Sequence, residues 1–106
     1  MKRRIVLSPG AIRQLKAIEG YLSAATSDDR AAQFVDGIVD QCNSFADFSF
    51  RSTPRDDLRP DIRTTVYRRR VVIAYSVEVT TVTILGVFYG GQDFESALRA
   101  APEADD

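Results

Sequence analysis

The sequence predicts an α+β fold with the element order β-α-α-β-β-β, in which a helical hairpin packs on one face of a small, mainly antiparallel, four-stranded sheet. Three observations predict it: a helix-start signal after a short apolar run, two amphipathic segments, and three β-rich runs after residue 60. A chain of 106 residues suits one domain with one hydrophobic core. We therefore expect a single domain over residues 1–100.

The first half of the chain predicts one strand and two helices. Lys2–Leu7 resembles a short strand, after which Ser8 can cap a helix whose first position suits Pro9. Apolar residues at helical spacing predict a first helix to about Ser23 or Ala24: Ile12, Leu15, Ile18 and Leu22. The second helix, after a turn at 25–28, has the clearest pattern: Ala31, Phe34, Val35, Ile38, Cys42 and Phe45. Two helices joined so closely form an antiparallel hairpin.

The second half predicts a loop and a three-stranded meander. The loop from Ser52 to Pro60 is rich in arginine and aspartate. The predicted strands are Ile62–Arg68, Val71–Glu78 and Thr81–Tyr89, and the middle one is apolar on both faces, as a central strand is. We expect a short helix over Asp93–Ala100 and a disordered acidic tail at 101–106. Because a helical hairpin covers one face of a sheet, part of the other face stays open to solvent or a partner.

The charge distribution indicates a basic surface. The net charge is −1, yet seven of the fourteen basic residues lie between Arg51 and Arg70. Five of them are candidates for a basic surface that binds an acidic or nucleoprotein partner: Arg59, Arg63, Arg68, Arg69 and Arg70. Alternatively, they are solvated or paired with nearby aspartates, in exposed pairs that contribute only about 0–1 kcal/mol each.

Several function classes find no support in the sequence. No stretch approaches the roughly 18 apolar residues of a membrane-spanning helix. The single cysteine, Cys42, cannot form an intrachain disulfide or a multi-cysteine zinc site, and its place in the apolar pattern predicts a small buried hydrophobe. We find no phosphate-binding glycine loop and no metal-ligand spacing, so we predict no cofactor and no metal. A cytoplasmic location is the simplest expectation.

Local motifs resemble the ParE/RelE superfamily of bacterial toxins. The matching segments are Pro9–Ala11, Ile18–Leu22, Arg55–Arg63, Arg70–Tyr75 and Val82–Asp93, and the resemblance covers about Val6 to Leu98. The chain departs from the usual pattern at Arg69, where relatives often have glycine, at Tyr89, where they often have histidine, and at Gln92, where they often have arginine.

The resemblance implies the ParE-like branch, whose members inhibit DNA gyrase by binding it and arrest growth. It also implies a hetero-oligomer with a cognate, ParD-like antitoxin, which neutralises the toxin. The antitoxin would lie over the helical hairpin and sheet edge, where Tyr21 and Phe48 could provide apolar contacts. We assign no catalytic residue, because the chain has no histidine and lacks the C-terminal arginine of the RNA-cutting relatives.

Two alternatives stay open at this point. A RelE-like, ribosome-dependent mRNA endoribonuclease would need Tyr67, Tyr75 or Tyr89 as an acid, with a pKa shifted strongly from about 10. A non-toxic relic that still binds antitoxin is favoured by Arg69 in place of glycine and by weak turn signals.

Overall fold

The computed structural model describes residues 2–100 and confirms the predicted α+β class. Its elements in chain order are β1 (Arg4–Leu7), α1 (Pro9–Ala25), α2 (Asp28–Ser44), β2 (Thr53–Pro54), β3 (Ile62–Tyr67), β4 (Val71–Val77), β5 (Thr81–Tyr89) and α3 (Phe94–Ala100). The predicted tail at 101–106 lies outside the described residues. Over residues 2–100, no helix has the length and apolar character needed to cross a membrane.

Side-chain caps fix where the two long helices begin. The Ser8 hydroxyl accepts a hydrogen bond from the Ala11 N–H at 3.1 Å, and Pro9 takes the first helical position. The Ser27 hydroxyl accepts from the Arg30 N–H at 3.2 Å in the same way. Both helix starts therefore lie where the sequence predicted them.

The sheet has five strands among the described residues, in the order β1-β5-β4-β3-β2, which corrects the predicted four. β1 runs parallel to β5, and the other neighbours are antiparallel. The additional strand is β2, whose Thr53 and Pro54 pair with Thr64 and Arg63. Two residues are too few to give an alternating pattern, and proline is tolerated there because β2 is an edge strand.

The helical hairpin covers one face of the sheet and builds the larger core. That core joins Leu15, Ile18, Ile38, Cys42 and Phe45 to the strand residues Val71, Ile73, Tyr75, Val82, Ile84 and Val87. The ring of Phe45 stacks on that of Tyr75, with centroids 4.2 Å apart. Of the stripes that the sequence assigned to the core, Leu15, Ile18, Ile38 and Cys42 are buried there. Leu22, Phe34 and Val35 are partly buried against this core, and Ile12 is exposed.

The opposite face of the sheet carries a second, smaller core. Leu58 from the arginine-rich loop and Leu98 from α3 pack on Ile62, Ala74 and Phe88 of the strands. The predicted C-terminal helix thus has a structural role, and β4 is buried on both faces as the sequence indicated. Part of this face stays open at the far end of β3, where Val66 is exposed beside Val72.

Beyond the end of β1, side-chain oxygens accept hydrogen bonds from the backbone N–H groups along the edge of β5. The strand pairing stops at Leu7, opposite Ile84, and a bulge follows next to the Ala74–Tyr75 pairs. Past that point the Val87 N–H donates to the side-chain oxygen of Gln14 on α1 at 2.7 Å. The Tyr89 N–H donates to the side-chain oxygen of Gln92 at the same distance. These amides satisfy backbone donors that no neighbouring strand reaches.

Candidate binding surface

The β3–β4 hairpin ends in a tight turn made of arginines. Arg68 and Arg69 have φ angles of 51° and 60°, and the Arg70 N–H donates to the Tyr67 carbonyl oxygen at 3.1 Å. Two successive left-handed residues match the right-handed twist of a hairpin, and glycine or asparagine usually fills them. For arginine, the steric cost is about 1–2 kcal/mol per residue. The structure therefore keeps two arginines at the tip despite local strain.

The base of this turn is anchored to the rest of the molecule. The Tyr67 ring lies edge-on to Phe34 of α2, with centroids 5.9 Å apart, and its hydroxyl abuts Gly37. On the other side, the Arg70 carbonyl oxygen accepts from the Gly90 N–H at 2.8 Å. The guanidinium of Arg68 lies over the Tyr67 ring, 5.4 Å from its centroid. The tip is thus held in a fixed position relative to both α2 and β5.

The arginines of the 51–70 segment fall into two groups by their partners. Arg55 forms ion pairs with Asp57 at 2.9 Å and Glu95 at 2.7 Å, and these contacts raise its pKa. The hairpin-tip residues Arg68, Arg69 and Arg70 are exposed and form no ion pair with any residue from 2 to 100. Pairing with nearby carboxylates, the alternative raised above, therefore applies to Arg55, whereas the tip exposes three cations to solvent.

The other two predicted basic residues lie away from the tip. The Arg63 guanidinium turns onto the segment after α2, where it donates to the Ser52 carbonyl and hydroxyl oxygens and to the Phe50 carbonyl oxygen at 2.8–3.1 Å. Its hydrogen bonds give it a structural role in holding that segment against β3. Arg59 lines a recess between α1 and α3, together with Arg13 and Phe88.

The two predicted apolar contact residues are both exposed but do not form one patch. Tyr21 is 62% exposed and lies beside Tyr89, at the end of the sheet that carries the arginine tip. Phe48 is 50% exposed under the guanidinium of Arg51, in the segment after α2 whose Ala46 carbonyl accepts from the Arg3 N–H. Since Arg3 also binds the Glu78 carbonyl, Phe48 belongs to the opposite end of the sheet.

A recess beside the tip includes residues that the sequence did not single out. It lies between the α1–α2 turn and the β3–β4 hairpin and has a volume of about 510 Å³. Its lining residues are Leu22, Thr26, Arg30, Gln33, Phe34, Arg68 and Arg70. Arg30 is 38 positions from Arg68 in the chain, so only the folded arrangement brings the two together. We call this feature the arginine cleft.

The three tyrosines named as possible acids occupy different environments. Tyr75 is fully buried, and its hydroxyl donates to the Ser49 carbonyl oxygen at 3.0 Å. Burial raises its pKa, which makes its phenolate harder to form. Tyr67 and Tyr89 both pack against the ring of Phe34. Tyr75 is therefore a structural residue that cannot touch RNA.

Comparisons with known proteins found a matching family and a similar fold. A family model described as the ParE toxin of the type II toxin-antitoxin system parDE matches residues 5–94. A solved structure titled "Chromosomal ParDE TA system from P. aeruginosa" has a similar fold, with a TM-score of 0.74 and 19% identity over 84% of this chain and 97% of that chain. No curated protein matches the chain significantly. The family match confirms the predicted resemblance: this chain belongs to the ParE toxin family of type II toxin–antitoxin systems.

Proposed function

We propose that this chain arrests growth by binding DNA gyrase in the cytoplasm, without catalysis, and that a cognate ParD-like antitoxin neutralises it. Membership of the ParE family supports the class of function. The observation that carries the proposal is the hairpin tip, where Arg68, Arg69 and Arg70 are exposed and form no ion pair with residues 2–100. A rigid, cationic projection suits an acidic protein surface or a nucleoprotein target.

The strain of the turn supports a binding role over a purely structural one. Glycine at the positions of Arg68 and Arg69 would relieve the left-handed backbone, yet the chain has arginine at both. Strained residues tend to lie at functional sites, where the surrounding structure holds them in place. Here Tyr67 and Gly90 hold the turn from either side.

The absence of catalysis is part of the proposal and rests on the available side chains. The chain has no histidine, and Tyr75 is buried with a raised pKa. Gln92, which stands where relatives often have arginine, binds the Tyr89 N–H. Cleavage of RNA would need a group that accepts the 2′-hydroxyl proton together with a cation near the phosphate.

Two assays with purified protein test this proposal. We expect the chain to block gyrase supercoiling and to leave messenger RNA intact in a translation extract. Cut messenger RNA with unaffected gyrase would instead establish the endoribonuclease alternative. Expression in a bacterial host that causes no growth arrest would indicate the non-toxic relic.

A triple variant tests the tip itself. Replacing Arg68, Arg69 and Arg70 with glutamine should relieve growth arrest and weaken gyrase inhibition by at least about tenfold, since each lost charge-assisted contact contributes roughly 1.5–3 kcal/mol. Arg4→Gln is the matched control, because Arg4 is exposed on β1 at the other end of the sheet. Full toxicity in a folded triple variant would exclude the tip from the binding surface.

A further inference from the structure

The arginine cleft concentrates positive charge around one concave site. Arg30 from α2 and Arg68 and Arg70 from the hairpin contribute to its lining, which contains no carboxylate. None of the three forms an ion pair with a residue in the 2–100 range. Like charges around a shared recess repel one another, and a bound anion would relieve that repulsion. The charge of the cleft therefore selects for an anionic group.

The uncharged residues that line the cleft indicate which kind of anionic partner fits it. Leu22 and Phe34 are partly buried and present apolar surface, and Gln33 adds an exposed side-chain amide. The Thr26 hydroxyl is already used as a donor, to the Leu22 carbonyl oxygen at 2.7 Å. A nucleic-acid backbone would use the guanidinium groups and leave the apolar floor unmatched. A peptide with an acidic residue beside an aliphatic one would use both.

The shape of the cleft favours a flexible segment over a folded surface. It lies in the angle between the α1–α2 turn and the protruding hairpin, with a volume of about 510 Å³. A site of that size admits one or two side chains of an extended chain, whereas the convex surface of a large globular partner would be stopped by the hairpin tip. A segment that orders on binding reaches such a recess readily.

We infer that the arginine cleft receives one acidic side chain of the antitoxin, with an adjacent aliphatic side chain on Leu22 and Phe34. This inference rests on the proposed function and adds to it the chemistry of one contact. Arg30 provides the charge from the α2 side, and Arg68 and Arg70 provide it from the hairpin. Occupancy of the cleft also places the antitoxin against the base of the cationic tip, so the antitoxin and gyrase would compete for this end of the toxin.

The test uses the protein from the adjacent reading frame that restores growth when it is expressed with the wild-type chain. Its affinity is measured by calorimetry at low and high salt for the wild type, Arg30→Gln and the control Arg4→Gln. We expect Arg30→Gln to weaken binding roughly tenfold to a hundredfold at low salt. The difference should shrink at high salt. Arg4→Gln should remain within about twofold of the wild type, because the exposed Arg4 lies outside the cleft.

A double-mutant cycle identifies the partner group. Each acidic residue of the antitoxin is changed to its amide and tested against both the wild-type chain and Arg30→Gln. One such change should weaken binding to the wild type but have little further effect on Arg30→Gln. Circular dichroism spectra confirm that each variant is folded.

The outcomes separate this inference from the function on which it rests. If growth is rescued but Arg30→Gln binds the antitoxin as tightly as the wild type, the cleft assignment is wrong and the proposed function stands. If Arg30→Gln loses gyrase inhibition while keeping its antitoxin affinity, the cleft belongs to the target and the inference is again overturned. If no neighbouring protein restores growth, neutralisation by an antitoxin fails, and the inference fails with it.

Discussion

The Tyr67 hydroxyl occupies the space in which a Cβ on Gly37 would lie, so the last residue of β3 rests directly on the middle of α2. Gly20, in the middle of α1, has no atom near the corresponding position. Both glycines lie inside helices, where glycine weakens the helix relative to alanine. The two glycines therefore both weaken a helix, but only Gly37 has a side chain from another element at the position of its missing Cβ.

This difference predicts opposite outcomes for the same substitution. Gly20→Ala should stabilise the protein by about 0.5–1 kcal/mol, since helix propensity improves without a clash. Gly37→Ala should leave the free energy of unfolding unchanged or lower it, because the Tyr67 ring must leave its contact with Phe34. Urea unfolding of both variants measures the effect. An equal rise in stability for the two would show that Tyr67 does not pack against Gly37.

The turn at Arg69 predicts a variant that gains stability while it loses function. Arg69→Gly removes the left-handed strain at φ 60° and should stabilise the fold by about 0.5–1 kcal/mol, after the entropy cost of glycine is subtracted. The same change removes a tip guanidinium, so growth arrest should weaken. Thermal unfolding and growth after induction measure the two effects separately.

Arg70→Gly is the matched control for this experiment. Arg70 is also exposed at the tip, but its φ angle is not positive, so glycine there relieves no strain. Its substitution should destabilise the protein by roughly 0.5 kcal/mol through added chain entropy. If Arg69→Gly lowers stability as much as Arg70→Gly does, the turn is not strained.

The element order could be predicted from the sequence because each helix and each long strand has its own local pattern. Capping by Ser8 and the two-sided apolar character of β4 are properties of neighbouring residues, and both predictions are confirmed. The short strand β2 was not predicted, because two residues are too few to show an alternating pattern. Their pairing depends on Arg63 and Thr64, which belong to another strand. Local patterns therefore predict elements better than they predict pairings.

The candidate site was predictable only in part, for the same reason. The exposed arginines at 68–70 follow from a charged turn between two strands. Arg63 has an equally charged neighbourhood in the sequence, but its guanidinium is bound by Ser52 and Phe50, from a segment 11 to 13 positions earlier. Arg30 joins the tip only through the packing of the hairpins. Contacts between residues far apart in the sequence therefore decide which arginines can bind a partner, and amino-acid composition does not reveal those contacts.

The hydrogen bond between Gln14 and Val87 predicts a specific effect at the sheet edge. Gln14→Met keeps most of the side-chain volume but leaves the Val87 N–H without its 2.7 Å partner. An unsatisfied, partly buried backbone donor costs about 1–3 kcal/mol, so the melting temperature should fall. Gln14→Glu retains an acceptor oxygen and should stay close to the wild type.

Lys16→Met controls for the added methionine on the exposed part of the same helix. It should change stability by no more than about 0.5 kcal/mol, as surface substitutions usually do. Hydrogen exchange at the Val87 amide gives a second, local measurement, with faster exchange expected in Gln14→Met. Unchanged protection there would mean that the glutamine does not seal the strand edge.

Cys42 predicts how stability depends on pH in the alkaline range. Burial raises the pKa of its thiol from 9.0 to about 12. For a group whose folded pKa is raised, the neutral form is favoured by folding. Stability is therefore complete below the unfolded value of 9.0 and declines as the pH rises toward 12.

At pH 10 the loss from this thiol should reach roughly 1 kcal/mol relative to neutral pH. Cys42→Ala is less stable at neutral pH because it leaves a small cavity in the core, yet it lacks the thiol and should have a flatter stability profile from pH 8 to 10. Urea unfolding across this range compares the slopes of the two proteins, and the tyrosines, which titrate near pH 10, are common to both and cancel in the comparison. Equal slopes would show that the thiol ionises without unfolding the core, and thus that Cys42 is accessible to water in the folded protein.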